Sequence, residues 1–425
     1  MSGPTLSDKQ VLSIHQADAR INGWHGAVRS GKSIAADFAW FNHIRNAPST
    51  GELVMMGRTK ETITRNVINV LKETSIFGPL ARTVAYTDGA NSATILGRQV
   101  HLLGANDVSS EAKVRGMTVG GALVDEASIL PQTTFQQLVA RMSVRGAKLF
   151  FTTNPDSPNH WLLTDWIKKP DPDIRVFHFE IDDNPFLDPS FVAYLKRQYT
   201  GLWYQRFILG RWVLAEGAVY DMFDRRRHVI HPRRIPAIQT WLSTGVDYGT
   251  TNPFHAVVIG IGVDSRLYVV SEWRHDARKA LRQMTDAEYS RAYRTWLATR
   301  VPIPQTDGHG VTVRYHVIDP SATSFRVQLH RDGIASWPAD NSVLDGIRNV
   351  SSLLSTDQLA ISAACKTTID EMQGYAWDDK AQAKGEDKPL KVNDHGPDGV
   401  RYGIHTTRND WRGRLLVASG ARGVG

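Results

Sequence analysis

The sequence predicts an α/β chain in two parts. The first is built on a mostly parallel sheet with helices on both faces, the second on a mixed sheet. Three observations predict it. Short apolar runs alternate with amphipathic stretches between residues 20 and 153, the pattern of strand–helix–strand crossovers. A basic stretch ending in Pro236 breaks that texture. Beyond it, three strand-like runs at 241–246, 255–263 and 267–273 follow closely enough to form an antiparallel meander.

The elements justify themselves in order. Residues 20–24 read as a strand, 32–45 as a helix, 52–56 as a strand and 59–75 as one helix. Residues 121–124 and 148–153 are apolar runs short enough for buried strands. "DPSF" opens a helix, with Asp188 as N-cap and Pro189 in the first turn. Residues 213–236, with five arginines between Arg225 and Arg234, read as a linker, either a solvated connector or a strip that contacts phosphates. They separate a first domain, 1–212, from a second, 237–425. In the second, "DSR" at 264–266 is a tight turn and "TDAE" at 285–288 a capping box. A strand at 315–318 and helices at 342–354 and 365–372 follow. The charged stretch 378–391 reads as a mobile loop and the tail 419–425 as a disordered end.

Composition narrows the class. Hydrophobic residues make up 41% and charged ones 22% of 425 residues, a globular balance able to bury sizeable cores. A net charge of +7 is compatible with a polyanionic partner. The single cysteine, Cys365, excludes an internal disulfide and points to a reducing compartment. The first sixteen residues lack the apolar run of a signal peptide, and no run approaches the roughly 18 apolar residues of a membrane helix.

The stretch "GAVRSGKS" satisfies G-x-x-x-x-G-K-[ST] between a strand and a helix. Gly26 and Gly31 let backbone N–H groups, Arg29 and Ser30 among them, wrap phosphates, and the helix N-terminus adds positive potential. Lys32 would contact the β and γ phosphates and Ser33 would ligate Mg²⁺. Downstream, "GGALVDEAS" ends an apolar run in two acids: Asp125 to hold Mg²⁺ through water, Glu126 to polarise the attacking water. "KLFFTTNP" ends in Thr152, Thr153 and Asn154, which can sense the γ-phosphate or simply cap a turn. Arg29, Arg141 and Arg145 are the candidates for transition-state charge, in cis or from a neighbouring subunit.

In the second half, Asp247 ends a strand in "GVDYG", Asp319 follows another in "VIDPSA", and Asp398 lies in "NDHGPDGVRYGI". Acids from two strands and a helix can gather two divalent ions, and oxygen-only ligands suit Mg²⁺ or Mn²⁺. Asp394 and His395 are further candidates, and Glu272 is another strand-end acid. No zinc spacing and no G-x-S-x-G elbow is present.

Taken in order, these motifs resemble the large terminase subunit of tailed bacteriophages, over about residues 10–402. The resemblance implies an N-terminal P-loop (ASCE-type) packaging ATPase and a C-terminal ribonuclease H-like nuclease. By position, Gln10 is similar to the residue that contacts adenine, and Thr152–Asn154 to the motif coupling hydrolysis to movement. The nuclease acids map onto Asp247, Asp319 and Asp398. The resemblance further implies ATP with Mg²⁺, a pair of Mg²⁺ or Mn²⁺ ions, double-stranded DNA, the portal of the procapsid and a small terminase subunit. It implies a pentameric ring when docked, a subunit that is monomeric in solution, and a place in the host cytoplasm rather than the mature virion. Two rivals remain at this stage: a repair or recombination motor–nuclease, for which the first half is too short to hold two motor lobes, and a non-catalytic ATP-binding assembly subunit.

Overall fold

The computed structural model describes residues 6–105, 111–249, 252–299, 306 and 309–415. The expected disordered tail lies outside the described residues. The chain divides into two compact units. One comprises Met1–Lys196, Leu202–Leu214 and Lys380–Glu386; the other comprises Arg197–Gly201, Ala215–Asp379 and Asp387–Gly425.

The first unit holds β1 (Ile21–Gly26), β2 (Glu52–Gly57), β3 (Val84–Ala85), β4 (Ser92–Ile95), β5 (Arg98–Gly104), β6 (Val119–Val124), β7 (Lys148–Thr153) and β8 (Ile174–Phe179). They form one sheet in the order β3-β4-β5-β2-β6-β7-β1-β8. The pairs β3–β4 and β4–β5 are antiparallel, so β4 alone runs against the other strands of this sheet. The central strands are covered on both faces, so β6 is buried along its whole length and reads as a continuous apolar run. The period of two sends Phe150 into one core, beside Trp24 and Trp40, and Phe151 into the other, beside Phe135 and Leu138.

The single helix expected over 59–75 is instead broken. Lys60–Ile63 is α-helical, Thr64–Ile68 is a π-helical turn, Asn69–Leu71 resumes the α form, and Thr74–Phe77 is separate. Thr64 Oγ donates to the Lys60 carbonyl at 3.0 Å, a side-chain bond that competes with the helical ladder. The widened turn carries Asn66, whose side chain reaches Asp125.

The second unit is a seven-stranded mixed sheet. Its strands are β9 (Val229–Ile230), β10 (Ile238–Asp247), β11 (Phe254–Gly262), β12 (Leu267–His275), β13 (Tyr315–Ile318), β14 (Ser336–Pro338) and β15 (Leu359–Ser362), in the order β14-β13-β10-β11-β12-β15-β9. β10, β11 and β12 are the antiparallel meander, with Ser265 at φ 60° in the turn between β11 and β12; β13 lies parallel to β10. Tyr289, Tyr293, Trp296 and Phe325 build an aromatic core on one face of this sheet. Thr285 and Glu288 form the expected capping box, with bonds of 2.8 and 3.3 Å.

Two connecting stretches differ from expectation. From Ala215 onward the expected linker is folded into the second unit: Ala215, Val219, Tyr220 and His228 are buried, and β9 pairs with β15. Its apolar residues outweigh the solvation of its arginines, two of which form ion pairs, Arg225 with Asp370 and Arg227 with Asp357. The stretch 378–391 contains a short helix, Asp379–Ala383, rather than being a bare loop.

Candidate functional site

In the first unit, β1 delivers the chain into the glycine loop and the helix Lys32–Asn46 leaves it. Both glycines are required by space. A Cβ at Gly26 would lie 1.9 Å from the Phe179 carbonyl oxygen, and Gly31 adopts φ 84° with a virtual Cβ 2.7 Å from Gln10 Nε2. Gly31, as N-cap, offers no side-chain acceptor to the first N–H groups of the helix, which leaves them for a phosphate. Ser30 Oγ donates to the Ala27 carbonyl at 2.8 Å and holds the loop from within. Gln10 is fixed by a capping box with Ser7 and donates to the Gly31 carbonyl at 2.9 Å. The residue expected near the base therefore buttresses the loop itself.

Lys32 is buried. Its ammonium donates to Asn154 Oδ1 at 2.8 Å and to the Ala27 carbonyl at 2.9 Å. Burial lowers its pKa to about 8, against the opposing pull of Asp125 and Glu126. β7 lies between β1 and β6, so its end reaches both halves of the pocket. Thr152 Oγ donates to Asp125 Oδ1 at 2.9 Å and accepts from the Glu126 N–H at 3.3 Å, while Thr153 Oγ accepts from the Ser128 N–H. The second Asp125 oxygen accepts from Asn66 at 3.2 Å. Glu126 adopts φ 52°, a left-handed conformation unusual for glutamate. Asp37, on the helix that follows the loop, is pushed well above the usual carboxylate range by burial and by Asp125.

The arginine candidates separate. Arg29 is at the loop, at φ 57°. The Arg141 carbonyl accepts from the N–H of Val119, the first residue of β6, and the Met142 carbonyl accepts from Arg20, just before β1. Arg141 and Arg145 therefore lie beside the amino ends of the parallel strands, whereas the glycine loop, Asp125 and Asn154 lie at the carboxyl ends. Of the three, only Arg29 belongs to the glycine loop.

In the second unit, β10 and β13 pair in parallel, so Asp247 and Asp319 leave neighbouring strand ends; the Asp319 N–H donates to the Val246 carbonyl at 2.9 Å. Helix His395–Thr406 brings Asp398. It packs closely because glycine faces glycine: a Cβ at Gly245 would stand 1.9 Å from the Gly399 carbonyl oxygen. The helix starts at His395, ahead of Pro397, which places His395 and Asp398 one turn apart on the same side. His395 Nδ1 and Asp247 Oδ2 are 2.6 Å apart.

Asp247, Asp319, Asp394, His395 and Asp398 all line one cleft of about 510 Å³, together with Arg274, Arg278, Lys279 and Lys391. Burial, with like charge from Asp398 and Asp319, raises the Asp247 carboxyl to about 6 although His395 opposes the rise. Among the described residues no three His, Cys, Asp or Glu side chains are drawn tightly enough together to ring one ion. Crowded carboxylates in a polar cleft nevertheless fit an oxygen-ligated divalent cation, which would relieve the repulsion felt at Asp247. Glu272 is not part of this set: it caps helix Lys366–Gly374 through the N–H groups of Thr367 and Thr368 at 2.9 and 2.8 Å.

Asn66 and Lys391 were missed from sequence. A lone asparagine in an amphipathic run and a lysine in a charged loop carry no motif. The short spacing from Lys391 to Asp394 and Asp398 was the one available signal.

The family model for the N-terminal part of the T4-like-virus-type terminase large subunit matches residues 25–227. A solved structure of the large terminase from a thermophilic bacteriophage is 33% identical in sequence. It superposes with a TM-score of 0.83 over 95% of this chain and 99% of that one. The same protein in complex with ADP gives 34% identity and a TM-score of 0.84 over 94% and 99%. The terminase large subunit of Escherichia phage T5 is 26% identical over 240 residues, 54% of this chain and 51% of that protein. The match thus spans about half the length of that curated relative.

Proposed function

The chain belongs to the large terminase family of bacteriophages, and from that premise we propose that it is the DNA-packaging motor subunit, an ATPase and a metal-dependent endonuclease in one polypeptide. The first unit hydrolyses ATP to move double-stranded DNA into the procapsid, and the second cuts concatemeric DNA. One observation carries this reading: a phosphate loop wired to an acid pair, and a cleft lined by Asp247, Asp319 and Asp398 among other acids, occur in separate units of the same chain.

In the ATPase pocket Lys32 and the loop N–H groups would receive the phosphates, Ser33 and Asp125 would hold Mg²⁺, and Glu126 would orient the attacking water. Gln10 holds the loop through the Gly31 carbonyl. Asn154 holds the Lys32 ammonium and Thr152 joins Asp125 to Glu126, so the end of β7 would link a bound γ-phosphate to the acid pair. Arg29 serves the subunit's own nucleotide. Arg141 or Arg145 serves a neighbour's, since both lie away from their own pocket.

In the nuclease cleft, divalent ions supply charge stabilisation for the attacking and leaving oxygens of a phosphodiester. Asp247, Asp319 and Asp398 would hold them, and His395 orients Asp247. Arg274, Arg278 and Lys279 line the same cleft and suit a DNA backbone read without sequence preference. The partners are the procapsid portal, a small terminase subunit and, when docked, further copies in a pentameric ring; the free subunit is a monomer in the host cytoplasm and is absent from the mature virion. Among the described residues no helix is long and apolar enough to cross a membrane.

The test separates the two sites. Purified protein with Mn²⁺ linearises plasmid. Asp319→Ala abolishes cutting and keeps ATP hydrolysis, while Lys32→Ala does the reverse. Undiminished cutting by Asp319→Ala, or loss of both activities in either well-folded variant, overturns the assignment.

A further inference from the structure

Asp398 is engaged on both oxygens. Oδ1 meets the fully buried Arg401 guanidinium at 3.0 Å and the Tyr375 hydroxyl at 3.4 Å. Oδ2 accepts from the Lys391 ammonium at 2.9 Å. The same ammonium stands 3.1 Å from Asp394 Oδ2. Both carboxylates are buried, Asp398 at 3% and Asp394 at 7% exposure, whereas the Lys391 side chain is 63% exposed. A solvent-borne lysine therefore reaches inward to two buried acids. Between Lys391 and the helix, Asn393 adopts a left-handed φ of 51°.

Arg401 is fully buried in the core, whereas the Lys391 side chain is mostly exposed and stands between the Pro389 bridge and the helix. The Lys391 ammonium bridges the two acids, 2.9 Å from Asp398 Oδ2 and 3.1 Å from Asp394 Oδ2. An ammonium and a divalent ion cannot share one carboxylate oxygen, because like charges repel at contact distance.

We propose that Lys391 is an internal counter-ion of the nuclease cleft, holding the Asp394–Asp398 side in the ion-free protein and giving way when a divalent cation binds there. This rests on the nuclease reading of the cleft. It makes the two ion positions unequal. The Asp247–Asp319 side loads directly, and the Asp398 side loads only in exchange for Lys391, whose released ammonium then faces the mouth of the cleft. Lys391 is thus a positioning residue for the metal centre rather than a ligand.

The experiment is Mn²⁺ titration of the full chain by calorimetry, without nucleotide or DNA. The wild type shows a tighter and a weaker step. Lys391→Gln tightens the weaker step about fivefold, the strength of one half-exposed ion pair. Lys391→Arg stays near wild type, and Lys279→Gln, in the same cleft, changes little. Unchanged or weakened affinity in Lys391→Gln overturns the proposal, as does equal tightening by Lys279→Gln, which would reduce the effect to the general field. Asp247→Asn loses the tighter step; if it takes up Mn²⁺ as the wild type does, the nuclease reading falls, whatever Lys391 does.

Discussion

Gly245→Ala tests whether glycine contact between β10 and the last long helix assembles the nuclease cleft. The added Cβ would stand 1.9 Å from the Gly399 carbonyl oxygen and 2.8 Å from the Gly403 nitrogen. These are backbone atoms, so no rotamer relieves the clash. Restoring an ordinary contact of 3.4 Å requires the helix to retreat by about 1.5 Å, and Asp398 retreats with it from Asp247. Overpacking of this kind costs about 1–3 kcal/mol. A unit of this size then melts lower by about 2–4 °C for each kcal/mol. Misplacing a catalytic group by an ångström can cost about 10²-fold in rate. The assay is plasmid linearisation with Mn²⁺ below the melting range, with ATP turnover as the internal control, since the glycine loop belongs to the other unit. Gly403→Ala should lose less, because its Cβ meets the side chains of Ile259 and Ser243, which can turn aside. Wild-type cutting and an unshifted melt for Gly245→Ala would refute the reasoning.

Glu126→Gln should keep nucleotide binding and lower ATP turnover by about 10²–10⁴-fold, read by phosphate release; a loss of under tenfold would remove Glu126 from the chemistry. Arg141→Ala should leave single-subunit ATP turnover intact and depress only the turnover of assembled subunits, measured with and without portal-bearing procapsids. Acid should destabilise the fold through buried neutral histidines. His25 and His255 are lowered to about 3 and His316 to about 4, burial being the main cause in each. Their unfolded value is 6.5, so the unfolded chain binds more protons between that value and the folded ones. Stability is full above pH 6.5 and falls below it, by up to about 1.4 kcal/mol per pH unit for each such histidine. Thermal melts from about pH 7.5 to about 4.5 check this, and a flat profile contradicts it.

Much of the ATPase pocket was legible because its chemistry is local. The glycine loop must bring phosphate, Lys32 and Ser33 together within a few residues, and Asp125–Glu126 must end a buried strand. The order of the nuclease acids was legible for the same reason: each lies at a strand end or helix start with its own turn residues. What local sequence does not carry is how distant segments meet. The position of β7 between β1 and β6 is a property of strand order, and it alone explains why Thr152 touches Asp125. The π-helical turn that presents Asn66 competes with a helix by a margin that periodicity cannot register. The closeness of Gly245 to Gly399 involves two glycines far apart in the chain, each unremarkable by itself. The stretch from Ala215 read as a linker because its arginines dominate the composition, while Val219, Tyr220 and His228 decide its burial. The arginine candidates were ambiguous because only the fold distinguishes the two ends of a parallel sheet.

The nuclease reading depends most on Asp247, Asp319 and Asp398 forming one metal centre. Crystals of the full chain soaked in Mn²⁺ and measured at the manganese absorption edge test it directly. The account predicts anomalous density inside the cleft, in contact with Asp247 and Asp319, with Lys391 withdrawn wherever an ion also reaches Asp398. Density confined to the glycine loop, or none within reach of these aspartates at millimolar Mn²⁺, would contradict it.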